Sequence, residues 1–243
     1  MIRNLQEFLR KNMELAINDY QMISPGDHIL VALSGGDDSY ALMKLFTLKK
    51  VYIPEDITLF AVHIDLGFSE NNVEHLQNME SFLSKLGIKY VIDRTNIGRI
   101  AHAESNSVNP CFLCSKLRRK RFLELAEKYH CNKIAFGHHK DDIVETLLIN
   151  IFFGREISTM KPKQDLFKGK FHIIRPLAYL WEHVIKEYAR QQAFPSFENE
   201  CPTSMTSKRK LVKDILSELE QNNENIKENI YKAMKHVKTD YLL

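Results

Sequence analysis

Three groups of residues in this chain have the types and spacing to do chemistry. The first is Ser34-Gly35-Gly36-Asp37-Asp38-Ser39. Only nine of the 243 residues are glycine, so a Gly-Gly pair directly after an apolar run is informative. Small residues let the backbone turn sharply and bring its N–H groups against an anion. A helix beginning there adds its positive end, and Ser34 and Ser39 add hydroxyl donors. Asp38 can hold Mg2+ across phosphates, because hard cations take carboxylate and phosphate oxygens. A plain strand-to-helix turn capped by Asp or Ser is the alternative. The run matches neither G-x-x-x-x-G-K-[ST] nor G-x-G-x-x-G, which argues against the ordinary P-loop and dinucleotide folds.

The second group is Cys111-Phe112-Leu113-Cys114, with a basic stretch over residues 116–121 behind it. A helix N-terminus and nearby cations lower a thiol pKa and favour the thiolate, the form that binds metal and transfers sulfur. A single C-x-x-C fits a redox pair, half of a zinc site or part of a cluster site. No second pair and no spaced histidines complete a zinc ribbon, and Cys201 in Glu200-Cys201-Pro202 is the available third ligand. Cys131 stands outside these patterns and reads as a buried structural cysteine. Arg118 follows Cys114 by one helical turn, so it reaches the same site and can hold substrate or developing negative charge. Arg119, Lys120 and Arg121 suit nucleic-acid phosphates, while Glu124 and Glu127 beside them also fit a solvated helix face.

The third group is Gly137-His138-His139-Lys140-Asp141-Asp142. Asp141 and Asp142 suit magnesium or acid–base work. An N-capping Asp141 and a packed His138 are the structural alternative.

These groups need a scaffold. Residues 5–20 place Leu5, Phe8, Leu9, Met13, Leu15 and Ala16 at helical spacing. Strands are expected at 28–33, 57–64, 89–92, 133–136 and 172–174. Helices are expected at 39–50, 71–86, 114–129, 141–153, 181–192, 207–220 and 225–237, with a polar, flexible stretch at 103–109. Strands alternating with helices of this length predict an α/β fold with a doubly wound, mostly parallel five-stranded sheet. The expected organisation is an N-terminal helix at 1–20, a core domain at 21–193 and a helical segment at 194–243 that carries Cys201. Ligands of open sheets bind at the carboxyl ends of strands. The first and third groups fall there, as do His63 and Asp65.

Composition sets outer bounds. A hydrophobic fraction of 44% and a charged fraction of 27% are those of an ordinary globular protein. A net charge of +3 defines no partner, although basic residues cluster at 116–121 and 208–210. No apolar run is long enough to span a membrane, and the first residues lack the apolar core of a secretory signal. Four cysteines are too few for a disulfide scaffold, so a reducing cytoplasm is expected.

Ser34-Gly35-Gly36-x-Asp38-Ser39 between strand and helix resembles the signature of the PP-loop ATP pyrophosphatases. Further along come Cys111-x-x-Cys114 with Leu117-Arg118-Arg119, then Gly137 to Asp142, Ile174-Arg175-Pro176-Leu177 and a late cysteine. In that order and spacing, over roughly residues 25–215, the chain resembles the tRNA 2-thiocytidine synthetase (TtcA-type) family.

The resemblance implies an adenine nucleotide alpha hydrolase-like core. It implies ATP bound by Ser34, Gly35, Gly36, Asp37, Asp38 and Ser39, with His63, Asp65 and Gly137 edging the pocket and Mg2+ on Asp38. It implies a [4Fe-4S] cluster on Cys111, Cys114 and Cys201 with one iron left open. The implied enzyme adenylates the C2 oxygen of an anticodon-loop cytidine and replaces it with sulfur, using Asp38, Arg118, Asp141 and Asp142 in catalysis. A base carbonyl is a poor electrophile whose adenylate is readily displaced, and a loop holding the departing pyrophosphate stabilises charge where it develops. Implied partners are tRNA and a sulfur donor such as a cysteine desulfurase, and homodimers are common among relatives.

One position departs from the pattern: Asp37 stands where thiolating relatives carry lysine. A carboxylate there repels phosphates unless it turns away or binds metal. Rival readings are the same chemistry on another tRNA base or a small molecule, and a non-catalytic iron–sulfur or nucleotide sensor. Pyrophosphate release from ATP separates enzyme from sensor.

Overall fold

The computed structural model describes residues 4–48, 54, 56–68, 73–195 and 200–241. The expected helix boundaries at 49–50 and 71–72 lie outside them.

Six strands form one sheet: β1 (His28–Leu33), β2 (Thr58–Asp65), β3 (Lys89–Arg94), β4 (Lys133–Ala135), β5 (Lys163–Leu166) and β6 (Phe171–Ile174). Their order is β3-β2-β1-β4-β6-β5, with every pair parallel except β5 and β6. The expected fold class stands, with one strand more than the five anticipated. β5 is Lys163-Gln164-Asp165-Leu166, an edge strand too short and polar to show an apolar period. Charge on an edge strand discourages further pairing, so the features that hid it in the sequence suit its place.

Helices cover both faces. In β1, Ile29, Val31 and Leu33 join a core with residues of α1 (Leu5–Asp19), α2 (Asp37–Phe46) and α7 (Glu182–Gln192). The alternate residues Leu30 and Ala32 join a second core with Phe122, Leu125 and Ala126 of α5 (Pro110–Lys128). A strand buried on both faces must be apolar throughout, which is why residues 28–33 read as a continuous run. The amino end of β1 is fixed by a buried cluster. Lys133 Nζ lies 3.1 Å from Asp27, and Asn132 donates to Asp27 at 2.7 Å. Burial pushes the Asp27 carboxyl up, but the Ser24 N–H, Asn132 and Lys133 together hold it below its ordinary value.

The described chain divides into two compact units, Met1–His139 with Lys161–Thr203, and Lys140–Met160 with Ser204–Leu243. This differs from the expected boundaries at 20 and 193. The first helix belongs to the main core because Leu5, Leu9, Met13, Ala16 and Ile17 are buried in it. Cys201 falls in the first unit rather than with the C-terminal helices. The second unit holds α6 (Lys140–Ile149), α8 (Lys208–Asn222) and α9 (Ile226–Ala233). The expected helix 141–153 stops being α-helical at Ile149. A π-helical turn, Asn150–Gly154, follows and closes on Arg155 in the left-handed conformation. A short helix, α4 (Ile97–Ala101), precedes the 103–109 stretch, where the Asn106 side chain donates to the Ala101 and Val108 carbonyls.

Candidate nucleotide and thiol site

Strand order reverses between β1 and β4, so the crevice at their carboxyl ends is where a sheet of this kind binds ligand. Two of the three groups meet there. The loop after β1 is shaped by its own serines: the Ser34 N–H donates to Ser39 Oγ at 3.2 Å, and Ser39 Oγ donates to the Gly36 carbonyl at 2.8 Å. Gly36 N–H donates to Ser34 Oγ at 3.3 Å. Gly35 has φ 91°, a conformation that favours glycine. Gly36 caps α2 with no side-chain hydrogen bond, so the first turn of that helix is left to an anion.

Gly137 is required by contact. A Cβ there would stand 2.9 Å from the backbone carbon and oxygen of Asp38, so any larger residue would force the β4 loop off the β1 loop. The same approach brings buried His139 Nε2 to 3.6 Å from Asp38 Oδ1, an oxygen that is itself buried and accepts no hydrogen bond. Asp37 has its carboxyl pushed up, first by burial and then by the neighbouring Asp38 charge, against the pull of Lys186. His138, next to His139, accepts a hydrogen bond from buried Arg175 Nε at 3.3 Å.

A cavity of about 290 Å3 opens from this loop. Ser34, Gly36, His63, Asp65, Arg118 and Glu200 are among its lining residues. His63 is buried, its Nδ1 2.9 Å from the Leu33 carbonyl; burial lowers its pKa and favours the neutral ring. Asp65 Oδ1 accepts from the Gly67 N–H at 2.9 Å and so also shapes the turn after β2. Arg118 lines this cavity, and its buried Nε makes no hydrogen bond, so its guanidinium would suit an anionic or carbonyl ligand. A larger cavity of about 440 Å3, between α3 (Val73–Leu86) and β3, shares none of these residues.

The cysteines converge beside that cavity. Cys111 Sγ and Cys201 Sγ each lie 3.5 Å from Thr203 Oγ1, although 90 positions separate the two cysteines in the sequence. Cys114 is close enough for both other thiols to act on it. The expected lowering of its pKa does not occur: burial and then the two neighbouring thiols push it up, and Arg118 pulls it down only in part. Among the described residues, no three His, Cys, Asp or Glu side chains are grouped to hold a single metal ion. Thiols of this softness, two of them meeting at one hydroxyl, are suited by their chemistry to an iron–sulfur centre. Cys131 is buried in the second core, where burial raises its thiol to about 11, as a structural cysteine should be.

Other expected residues have partners of their own. Asp141 and Asp142 belong to the second unit, where Lys227 Nζ is 3.2 Å from Asp141 and Arg209 pairs with Asp142. Arg121 makes two hydrogen bonds of 2.7 Å to Asp93, so it is committed within the protein, whereas Arg119 is exposed. Sequence reasoning missed His102 and Thr203 entirely. Thr203 stands two places after Cys201, but only the tertiary structure sets His102 against it, at 3.1 Å.

Comparison with known proteins agrees with this geometry. The chain matches the PP-loop domain family over residues 3–219. It is 35% identical to the tRNA-cytidine(32) 2-sulfurtransferase of Photorhabdus laumondii, covering 99% of this chain and 78% of the relative. It is 37% identical to the enzyme of the same name from Ralstonia pickettii, over 98% and 75%. Among solved structures, the U34-tRNA thiolase NcsA from Methanococcus maripaludis with its [4Fe-4S] cluster has the same fold. Its TM-score is 0.76, at 24% identity over 96% of this chain and 82% of that one. With the loop, the Gly137 contact and the converging cysteines in place, the chain belongs to the PP-loop family of tRNA-cytidine(32) 2-sulfurtransferases.

Proposed function

We propose that this protein uses ATP to activate the C2 oxygen of a tRNA cytidine and replaces that oxygen with sulfur. One observation carries the reading: a single cavity joins the nucleotide loop (Ser34, Gly36) to the cysteine-bearing helix (Arg118) and to Glu200, the neighbour of Cys201. Activation and sulfur delivery therefore share one space, as a displacement at one carbon requires.

Each part has a local task. The N-terminal turn of α2 and the loop N–H groups hold the phosphates of ATP. Asp38, whose Oδ1 lacks a hydrogen bond, would hold a magnesium ion that neutralises the departing pyrophosphate. Buried His139, 3.6 Å from that carboxylate, limits where it can move. Neutral His63 and Asp65 form the pocket edge beyond β2. Arg118 places its guanidinium against the base or the AMP leaving group and so favours attack at C2. Cys111, Cys114 and Cys201 would hold the iron–sulfur centre, which when bound would supply the sulfur. Asp141 and Asp142 enter this reading as charge partners of α8 and α9, not as the magnesium acids. Sulfur would come from a donor such as a cysteine desulfurase, in the reducing cytoplasm where tRNA is found. No described helix is long and apolar enough to cross a membrane.

The test is mass spectrometry of tRNA nucleosides from a strain lacking the protein, complemented with the wild type, Cys111→Ala or Asp38→Ala. Loss of 2-thiocytidine, restored by the wild type alone, is the expected result. Loss of a different thionucleoside would move the reading to that base, and persistence of them all would remove tRNA as the substrate.

A further inference from the structure

Cys111 and Cys114 ride on a regular helix whose start is capped by Asn109, the side chain of which accepts from the Phe112 N–H at 3.2 Å. Cys201 lies outside any helix, in a loop and turn over residues 200–203, with His102 Nε2 4.0 Å from its sulfur. Something else must set its sulfur in register with the helix. The Thr203 hydroxyl is the point where the segments meet, 3.5 Å from Cys111 Sγ, 3.5 Å from Cys201 Sγ and 3.1 Å from His102 Nε2.

His102 is a fixed post. Its Nδ1 lies 3.0 Å from the Gly98 carbonyl, which can only accept, so Nδ1 carries the ring proton. In that tautomer Nε2 is an acceptor for the Thr203 hydroxyl. The ring also meets Phe68 at 72° with centroids 5.3 Å apart. Phe68 is pressed on Gly98 so closely that a Cβ there would stand 2.6 Å from its ring. With its hydrogen on His102, Thr203 Oγ1 has lone pairs for the S–H groups of both cysteines. Thiolate ligands have no hydrogen to give, so the single hydroxyl hydrogen then turns from His102 to one sulfur.

We propose that Thr203 is a positioning residue that ties Cys201 to Cys111: its one hydroxyl hydrogen, held by His102 while the cysteines are thiols, passes to one sulfur ligand of the iron–sulfur centre. This rests on the cluster reading given above. Partners just outside the ligands orient them, and hydrogen bonds to sulfur stabilise the more negative reduced state and raise the potential.

The experiment is anaerobic reconstitution with ferrous iron and sulfide of the full-length wild type, Thr203→Val, Thr203→Ser and His102→Ala. It reads iron and sulfide per chain, the rate of iron loss to a chelator, and the midpoint potential by titration monitored with electron paramagnetic resonance. Thr203→Val should lose iron about 10-fold faster, in line with other outer-shell losses, and its midpoint should move to more negative potential. Thr203→Ser should match the wild type in both. His102→Ala keeps the hydroxyl but removes its acceptor in the thiol form, and should take up less iron and sulfide per chain while keeping the wild-type midpoint. Thr203→Val and His102→Ala both behaving as the wild type would overturn the proposal. If Thr203→Val does not fold, Thr203→Ala takes its place, and wild-type iron retention and midpoint in that variant overturn the proposal. A wild type that takes up no iron and sulfide would instead overturn the cluster reading, and this proposal with it.

Discussion

Two pairs of adjacent aspartates begin two helices of this protein, and they meet opposite fates. Asp37 and Asp38 open α2 in the first unit, while Asp141 and Asp142 lie in the first turn of α6 in the second. Each pair gains from a helix N-terminus in the same way. Asp38 nevertheless keeps a buried oxygen that accepts no hydrogen bond, with His139 as its nearest partner at 3.6 Å. Asp141 and Asp142 instead face Lys227 and Arg209, and Glu145, one turn on, faces Arg209 and Lys213 at 3.7 Å each. A carboxylate already matched with cations holds its own unit together. One left short of partners is ready for a metal ion and a polyphosphate. Residue type and position in the helix do not separate these cases; the packed neighbours do.

The comparison can be broken most directly by charge removal. Asp38→Asn should cut ATP-dependent pyrophosphate release by about 100-fold or more, the loss expected when an electrostatic stabiliser goes. Asp141→Asn should keep release within about 10-fold of the wild type and act mainly on stability. Equal losses in a pyrophosphate assay would show that the two pairs do the same work. Arg209→Met, which strips Asp142 and buried Glu145 of a partner, should destabilise the second unit by about 1–3 kcal/mol, less than a fully buried pair because Arg209 is partly exposed. Amide hydrogen exchange along α6 measures this locally, and unchanged protection would deny the ion pairs a structural role.

Glu145 sharpens the contrast through pH. Burial pushes its carboxyl from 4.5 up to about 7, against the pull of Arg209 and Lys213. The folded chain therefore binds the extra proton between those values. Stability falls as pH rises through that window, with the penalty complete above it. Glu145→Gln should flatten the fall between about pH 5 and about pH 8 by roughly 1–2 kcal/mol. Thermal melts that keep the wild-type slope would refute this. The smallest effect belongs to Asp37. Asp37→Asn relieves a half-buried charge beside the phosphate loop and should lower the KM for ATP about twofold. A higher KM would mean that Asp37 helps to bind the nucleotide or its metal.

Much of the scaffold was legible because its periods are strong. The continuous apolar run at 28–33 announced a strand buried on both faces, and the apolar spacing of residues 5–20 announced α1. β5 was not legible, because Lys163-Gln164-Asp165-Leu166 on a sheet edge has no hydrophobic face to display. The end of α6 was missed for another reason: Asn150–Gly154 remains helical, and only its hydrogen bonding widens to the π pattern. The chemistry of Cys114 was misjudged from local cues. A helix start and following cations suggested a lowered thiol, but burial and the approach of Cys111 and Cys201 outweigh them.

The sequence by itself determined the class of the sheet, the loop at the end of β1, the three candidate ligands and the family. Those properties reside in short stretches of chain, where the side-chain period, glycine and cysteine act on near neighbours. Only the tertiary structure decided that Gly137 must be glycine against Asp38, that Arg121 is spent on Asp93, and that Thr203 and His102 stand between the cysteines. Each of those facts is a meeting of segments far apart in sequence. Close packing and the pairing of buried polar groups set such meetings, and neither leaves a local period to be read.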